Sequence, residues 1–186
     1  ISMESIYFYI YIHAKPELRK LLTAQLRQKR KTRGNVRRGA DKRTTIKDLV
    51  SIDERPPEVD GRLVPGHWEG DLIIGKDHNS AIATLNERSS RTVIIMPLKK
   101  RDAKSVRLAF QKEFKSIPDQ MKKSLTYDRG SEMAEHKIFT KNTKIKVFFA
   151  HPYSPWERPT NENSNGLIRD YFPKGTDFSK ITKKEL

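Results

Sequence analysis

The apolar positions of this chain follow a two-residue period in its middle and a helical period after it. HWEGDLIIG, His67–Gly75, alternates as a strand. Successive side chains of a strand point to opposite faces. Trp68, Gly70, Leu72 and Ile74 therefore share one face, and Glu69, Asp71 and Ile73 the other. Ser80–Glu87 and Arg91–Leu98 are further β-branched runs, and the short connections Lys76–Asn79 and Arg88–Ser90 make the three an antiparallel meander. The period then lengthens. Asp102 caps a helix running to about Ser116, with Val106, Ala109 or Phe110, and Phe114 as its buried stripe, and Pro118 stops it. Ser124–Tyr127 reads as a fourth strand, Ser131–Asn142 as a helix and Lys146–Ala150 as a fifth strand. HPYSPWERP, His151–Pro159, is a proline-rich loop, and a last helix runs from Pro159 or Thr160 to Phe172, before Pro173.

Upstream, Ser2–His13 fits a short helix capped by Ser2, and Pro16 opens a second over Pro16–Gln28. Lys29–Thr45 has no period, and Ile46–Gly66 is irregular, punctuated by Pro56-Pro57 and Pro65-Gly66. The expected organisation is a helical region over 1–28, a basic flexible linker over 29–50 and a compact domain over 51–186. The order βββαβαβα is that of the RNase H-like fold. The expected class is α/β, a mixed sheet flanked by helices, with a small, basic, helical N-terminal appendage.

Charge sharpens this division. Residues 15–47 hold 13 Lys/Arg against two acids, which places +11 of the chain's +15 in one segment. Such asymmetry points to a polyanion, and to nucleic acid rather than a membrane surface, because no bulky apolar face continues past Leu26. Arg30, Arg33, Arg37 and Arg38 are the densest candidates for phosphate contacts. The absence of cysteine excludes disulfides and thiolate metal sites. No apolar run reaches the roughly 20 residues of a membrane span, and the start lacks a signal peptide's basic n-region and cleavage site.

Asp71 is the unusual residue of the first strand, a carboxylate beside Leu72-Ile73-Ile74. Ionised groups are seldom buried without a partner. Asp128 ends the fourth strand and Glu162 opens the last helix, and in a mixed sheet such ends converge. Three convergent carboxylates repel one another unless cations neutralise them. Mg²⁺ or Mn²⁺ suits such oxygen ligands, and two ions about 3.5–4 Å apart serve an in-line phosphoryl displacement.

PGHWEGDLIIG, LTYDRGSEMAEH and FFAHPYSPWERPTNENSNGLIRDYFPKGTDF closely resemble the bacterial DDE transposases of the insertion sequence thirty family. The 33 residues between Asp128 and Glu162 match the family, and SIDERP belongs to its pattern. The resemblance runs from about Ser51 to the C-terminus, and ISMESIYFYIY resembles the end of the family's helix-turn-helix. It implies cutting and joining of DNA at element ends, with Asp71, Asp128 and Glu162 as the metal-binding catalytic triad. It also implies element-end and target DNA as partners, a homo-oligomer assembled on DNA, no membrane, and a cytoplasmic, nucleoid-associated place in a bacterium. By the same resemblance Arg169, seven residues after Glu162, is a phosphate contact. The family carries Gly where Pro159 stands, and it continues past Leu186 into a further helix, so the core is expected to be truncated.

Other residues divide between roles. Leu167 and Tyr171 are expected on the core side of the last helix, opposite Arg169. Asn161, Asn163 and Asn165 either bond DNA or cap and orient the helix entrance. Trp156 and Tyr153 either stack on an unpaired base or pack their loop onto the core, and packing is favoured. Glu132 reads as a first-turn acid rather than a support for the site. His67, His136 and His151 lack zinc-like spacing, and His136 is expected to line the site wall. Competing readings are a ribonuclease H, an integrase of another lineage, and a catalytically inactive DNA-binding remnant. The charge pattern predicts duplex-DNA affinity that falls steeply with salt, because Lys and Arg release counterions on neutralising phosphates. Removing the basic segment should flatten the slope of binding against salt, and an unchanged slope would make the segment a tether only.

Overall fold

The computed structural model of the chain describes residues 2–26 and 46–186, which belong to two compact units, Ile1–Lys42 and Arg43–Leu186. In the first unit, α1 (Met3–Phe8) starts where the Ser2 side chain accepts the Ser5 N–H, and its path continues as a wider π turn over Tyr9–His13. Pro16 opens α2 (Pro16–Gln25). Arg30, Arg33, Arg37 and Arg38 lie outside the described residues.

The second unit is built on a five-stranded mixed sheet: β1 (His67–Ile74), β2 (Ala81–Glu87), β3 (Val93–Leu98), β4 (Ser124–Tyr127) and β5 (Lys146–Phe149), in the order β3-β2-β1-β4-β5. The β1–β2–β3 meander is antiparallel, while β4 and β5 run parallel to β1. The α/β class and the flanking helices agree with the sequence expectation: α3 (Ala103–Ser116), α4 (His136–Thr143) and α5 (Pro159–Tyr171). Asp102 caps α3 by accepting the Ser105 N–H at 2.7 Å.

The alternation of β1 decides what each face carries. On one face Trp68 joins Val106, Phe110 and Phe114 of α3 and Phe139 of α4 in the main core. Gly70 lies on the same face, where there is no room for a side chain: a β-carbon would stand 2.8 Å from the ring of buried Tyr127. On the other face Ile73 and Ile82 meet Ile168 of α5 and Phe178 in a smaller cluster.

Three sequence expectations change. Ser131–Asn142 is not one helix. A 3₁₀ turn over Ser131–Met133 precedes α4, and Glu135 between them has φ −90° and ψ 22° and pairs with Arg107 of α3 at 2.5 Å. The stretch ascribed to a linker as far as residue 50 packs from Ile46 onward: Ile46 is buried in the main core, and Val50 O accepts the Phe149 N–H at 2.9 Å, with Ser51 bridging Phe149. Leu167 and Tyr171 do not face the core but are 52% and 82% exposed. α5 buries Thr160, Asn161, Ser164 and Ile168 instead. At that end the sheet presents Glu69, Thr84 and Asn86, so small polar side chains fit against it and Leu or Tyr do not.

Candidate active site

The site rests on a buried polar lattice. Glu69 is fully buried. One of its carboxylate oxygens accepts from the Arg88 guanidinium, and the other accepts the backbone N–H of Asn161 at 2.9 Å. The Asn161 side chain donates to Gly70 O at 3.0 Å and accepts from Asn86. Arg88 also donates to Val59 O at 3.3 Å. α5 has no side-chain cap from its own N-cap residue, Arg158. Glu69 fills that role from β1, placing negative charge at the helix N-terminus, where the unpaired N–H groups and the dipole favour it. Pro159 occupies the first helical position, where no N–H is needed.

Above this lattice stand Asp71 and Asp128. The parallel pairing of β1 with β4 ends at Glu69 opposite Thr126. Asp71 and Asp128 each lie two residues further on, so they stand in register on one face just past the last pair. The Arg158 guanidinium lies between them, with Nη1 3.8 Å from Asp71 Oδ1 and Nη2 3.6 Å from Asp128 Oδ2. Nη1 also donates to Gly70 O at 3.1 Å. Asp71 accepts the Leu72 N–H at 2.9 Å and the Asn165 amide at 2.7 Å, and Asp128 accepts the Gly130 N–H at 2.9 Å. Burial pushes the Asp71 carboxyl above its usual range and Asp128 adds to the rise, against the pull of Arg158. Burial likewise raises Glu132, and the charges of Asp128 and Asp71 raise it further. Glu132 lies in the first turn of its 3₁₀ helix, as expected, and also feels the charges of both aspartates.

Glu162 is exposed in the first turn of α5. It lies three residues before Asn165, hence on the same helix face and about 4.5 Å back along the axis. Among the described residues, no three His, Asp or Glu side chains are gathered closely enough to hold a metal ion. The donor chemistry nevertheless fits a hard cation. Two carboxylates, one in β1 and one just past β4, already share one positive group, and a third acid stands in the first turn of the helix that follows that group.

The remaining candidates fall in different places. Asn165 is committed to Asp71, and Asn161 to the lattice. Arg169 donates to Ile74 O at 2.6 Å and lies over the Phe178 ring at 5.9 Å, tying the end of α5 to the end of β1. Trp156 is 70% and Tyr153 57% exposed, so the expected packing of these rings on the core does not occur. His136 does not line the acidic site: it packs edge-on against Phe149 and its Nε2 lies 3.2 Å from Lys47 O. His67 is buried against the Ser124 hydroxyl, 2.7 Å away. His151 braces the loop that ends at Arg158, with Nδ1 2.8 Å from Glu157 and Nε2 3.1 Å from Asp53. Sequence reasoning missed Arg158, Glu69 and Arg88. The available signal was Glu69 close to Asp71 in a strand that is otherwise apolar after His67.

The integrase core domain family model matches residues 62–155, a span that holds Asp71 and Asp128 and ends before Glu162. The chain is 47% identical over its whole length to the transposase for insertion sequence element IS1086 of Cupriavidus metallidurans, covering 55% of that protein. It is 45% identical, again over its whole length, to transposase InsI for insertion sequence element IS30C of Escherichia coli, covering 49%. The chain therefore spans about half the length of these curated relatives. Among solved structures it is similar to a simian T-cell lymphotropic virus intasome in complex with PP2A regulatory subunit B56 gamma. That match has a TM-score of 0.52 and 18% identity over 66% of this chain and 45% of that one, a likeness of fold.

Two outcomes test the site's frame. Glu69→Ala leaves Arg88 buried without its charge partner and should cost about 3–5 kcal/mol in urea unfolding; a loss below about 1 kcal/mol would remove Glu69 from its structural role. The carboxylates of Glu157 and Asp53 hold the His151 imidazole above its ordinary value of 6.5. A raised folded value stabilises fully below the unfolded pKa and loses that contribution as pH rises through the folded value. The melting-temperature gap between the protein and His151→Gln should therefore be wider near about pH 5.5 than near about pH 9, and equal gaps would show that the clasp holds nothing.

Proposed function

From the chain's membership of the integrase core domain family, and within it of the IS30-type insertion-sequence transposases, we propose that it is the strand-cleaving and strand-joining core of a DNA transposase. The observation that carries this reading is the register of Asp71, within β1, and Asp128, just past the end of neighbouring β4, on either side of the Arg158 guanidinium, with the helix that bears Glu162 bonded to Asp71 through Asn165. Asp71, Asp128 and Glu162 are the residues that would hold Mg²⁺ or Mn²⁺. A pair of such ions, when bound, activates the attacking oxygen of an in-line phosphoryl displacement and stabilises the leaving one.

The chain's own residues prepare that chemistry. Asn165 and the Leu72 N–H fix the rotamer of Asp71, and the Gly130 N–H fixes that of Asp128. Glu69 sets where α5 begins and so where Glu162 stands. The exposed indole of Trp156, in the loop before α5, offers a face on which an unpaired base can stack. The basic segment with Arg30, Arg33, Arg37 and Arg38 supplies sequence-indifferent phosphate contacts. The substrates are the DNA ends of an insertion sequence and a target duplex, engaged by a homo-oligomer in the bacterial cytoplasm.

Labelled DNA carrying insertion-sequence ends, incubated with the chain and Mn²⁺ or Mg²⁺, should be nicked. Asp71→Asn should lower the rate by more than about 100-fold, beyond the usual cost of losing a residue that only supports a metal ligand. DNA binding without metal-dependent nicking would favour the inactive remnant.

A further inference from the structure

No role was assigned to Arg158 from the sequence, yet it is the group that joins the two acids. Its guanidinium faces Asp71 Oδ1 at 3.8 Å and Asp128 Oδ2 at 3.6 Å. Both separations exceed a close hydrogen bond, so the attraction is one of charge across a short gap. The side chain is 13% exposed and anchored at Gly70 O. Its buried Nε has no hydrogen-bond partner. A guanidinium normally satisfies its donors in a fixed fork when it is a permanent structural tether. Here one donor is left unmet and both carboxylates are met at long range. Asp71 and Asp128 meanwhile keep shorter bonds to Asn165 and Gly130 that do not depend on Arg158.

We propose that Arg158 is a positioning residue that stands in for the divalent cation. It neutralises Asp71 and Asp128 and keeps them in register, and it must withdraw from between them when a metal ion binds. The proposal rests on the metal-binding reading of the site given above. Its physical basis is that two carboxylates in register past a strand pair repel each other in a half-buried setting. A second positive charge in the same gap is excluded by the first. Arg158 is placed to withdraw, because it precedes the first residue of α5 at the end of the proline-rich loop, and loops absorb such rearrangements more readily than strands.

The test is Mn²⁺ binding to the full chain by calorimetry, with the thermal shift as a second reading. Arg158→Gln should bind Mn²⁺ roughly tenfold or more tightly than the unaltered protein, the scale set by removing one unit charge a few ångströms from the ion. Without metal it should melt lower, and Mn²⁺ should raise its melting temperature by more than it raises that of the unaltered protein. Arg158→Lys, which restores the charge, should return the weaker affinity. A merely structural arginine predicts the opposite, weaker binding in Arg158→Gln, and equal or weaker binding overturns the proposal while leaving the metal site standing. If neither protein binds Mn²⁺, the metal-binding reading itself fails, and the proposal with it. Should Arg158→Gln not fold, nitrogen-15 NMR of the unaltered chain decides. The Arg158 Nε–H signal should move on Mg²⁺ titration together with the Asp71 and Asp128 amides, and a stationary Arg158 signal beside moving amides overturns the proposal.

Discussion

The buried carboxylate of Glu69 is the constraint on which the acidic site depends. A buried ion pair such as Glu69–Arg88 contributes little net stability, because desolvating both charges offsets their attraction. Its effect is geometric. With Arg88 on one oxygen and the Asn161 N–H on the other, Glu69 leaves α5 one position in which the lattice is satisfied. Sliding the helix by one residue would strand a buried carboxylate oxygen, the Asn161 amide and the Gly70 carbonyl together, each a costly loss away from water.

The same strand sets up the opposing term. Beyond Glu69 the pairing of β1 with β4 stops while β1 stays paired with β2, and the positions past that last pair carry Asp71 and Asp128 rather than apolar side chains. Desolvation and mutual repulsion both raise the cost of keeping Asp71 charged, and Arg158 lowers it. Glu132 adds to the acidity from a turn packed against α3 rather than from α5. The site is thus a concentration of negative charge held by a rigid polar lattice below and a single guanidinium between, with a proline-rich loop carrying that guanidinium.

The two sides of the sheet are built by different rules. One side is an aromatic core, in which Phe110, Phe114, Tyr127 and Phe139 meet edge to face. Its patterning is strong, and α3 with Val106, Phe110 and Phe114 was readable in advance. The other side is polar at the site end and apolar only near Ile73, Ile82, Ile168 and Phe178. A helix lying on it buries Thr160, Asn161 and Ser164 and leaves Leu167 and Tyr171 in solvent. Periodicity assigns the apolar stripe of a helix to the core, and here it assigned the wrong face.

What the sequence by itself determined is what local alternation and local chemistry carry. The strands, the meander, the capped α3, the βββαβαβα order and the places of the three acids (within the first strand, at the end of the fourth and in the first turn of the last helix) follow from side-chain period, turn residues and motif spacing. The tertiary structure alone decided which polar group answers which. Glu69 caps a helix 92 residues away, and Arg158 reaches back to Asp71 and across to Asp128. Ile46 joins a core whose boundary composition alone placed later, and Glu135, paired with Arg107, stands where the expected helix is interrupted. The physical reason is the same for Glu69 and Arg158. Apolar burial leaves a periodic trace in the sequence because any apolar neighbour serves, whereas a buried charge needs one particular partner at one distance. That partner is set only when the chain has folded.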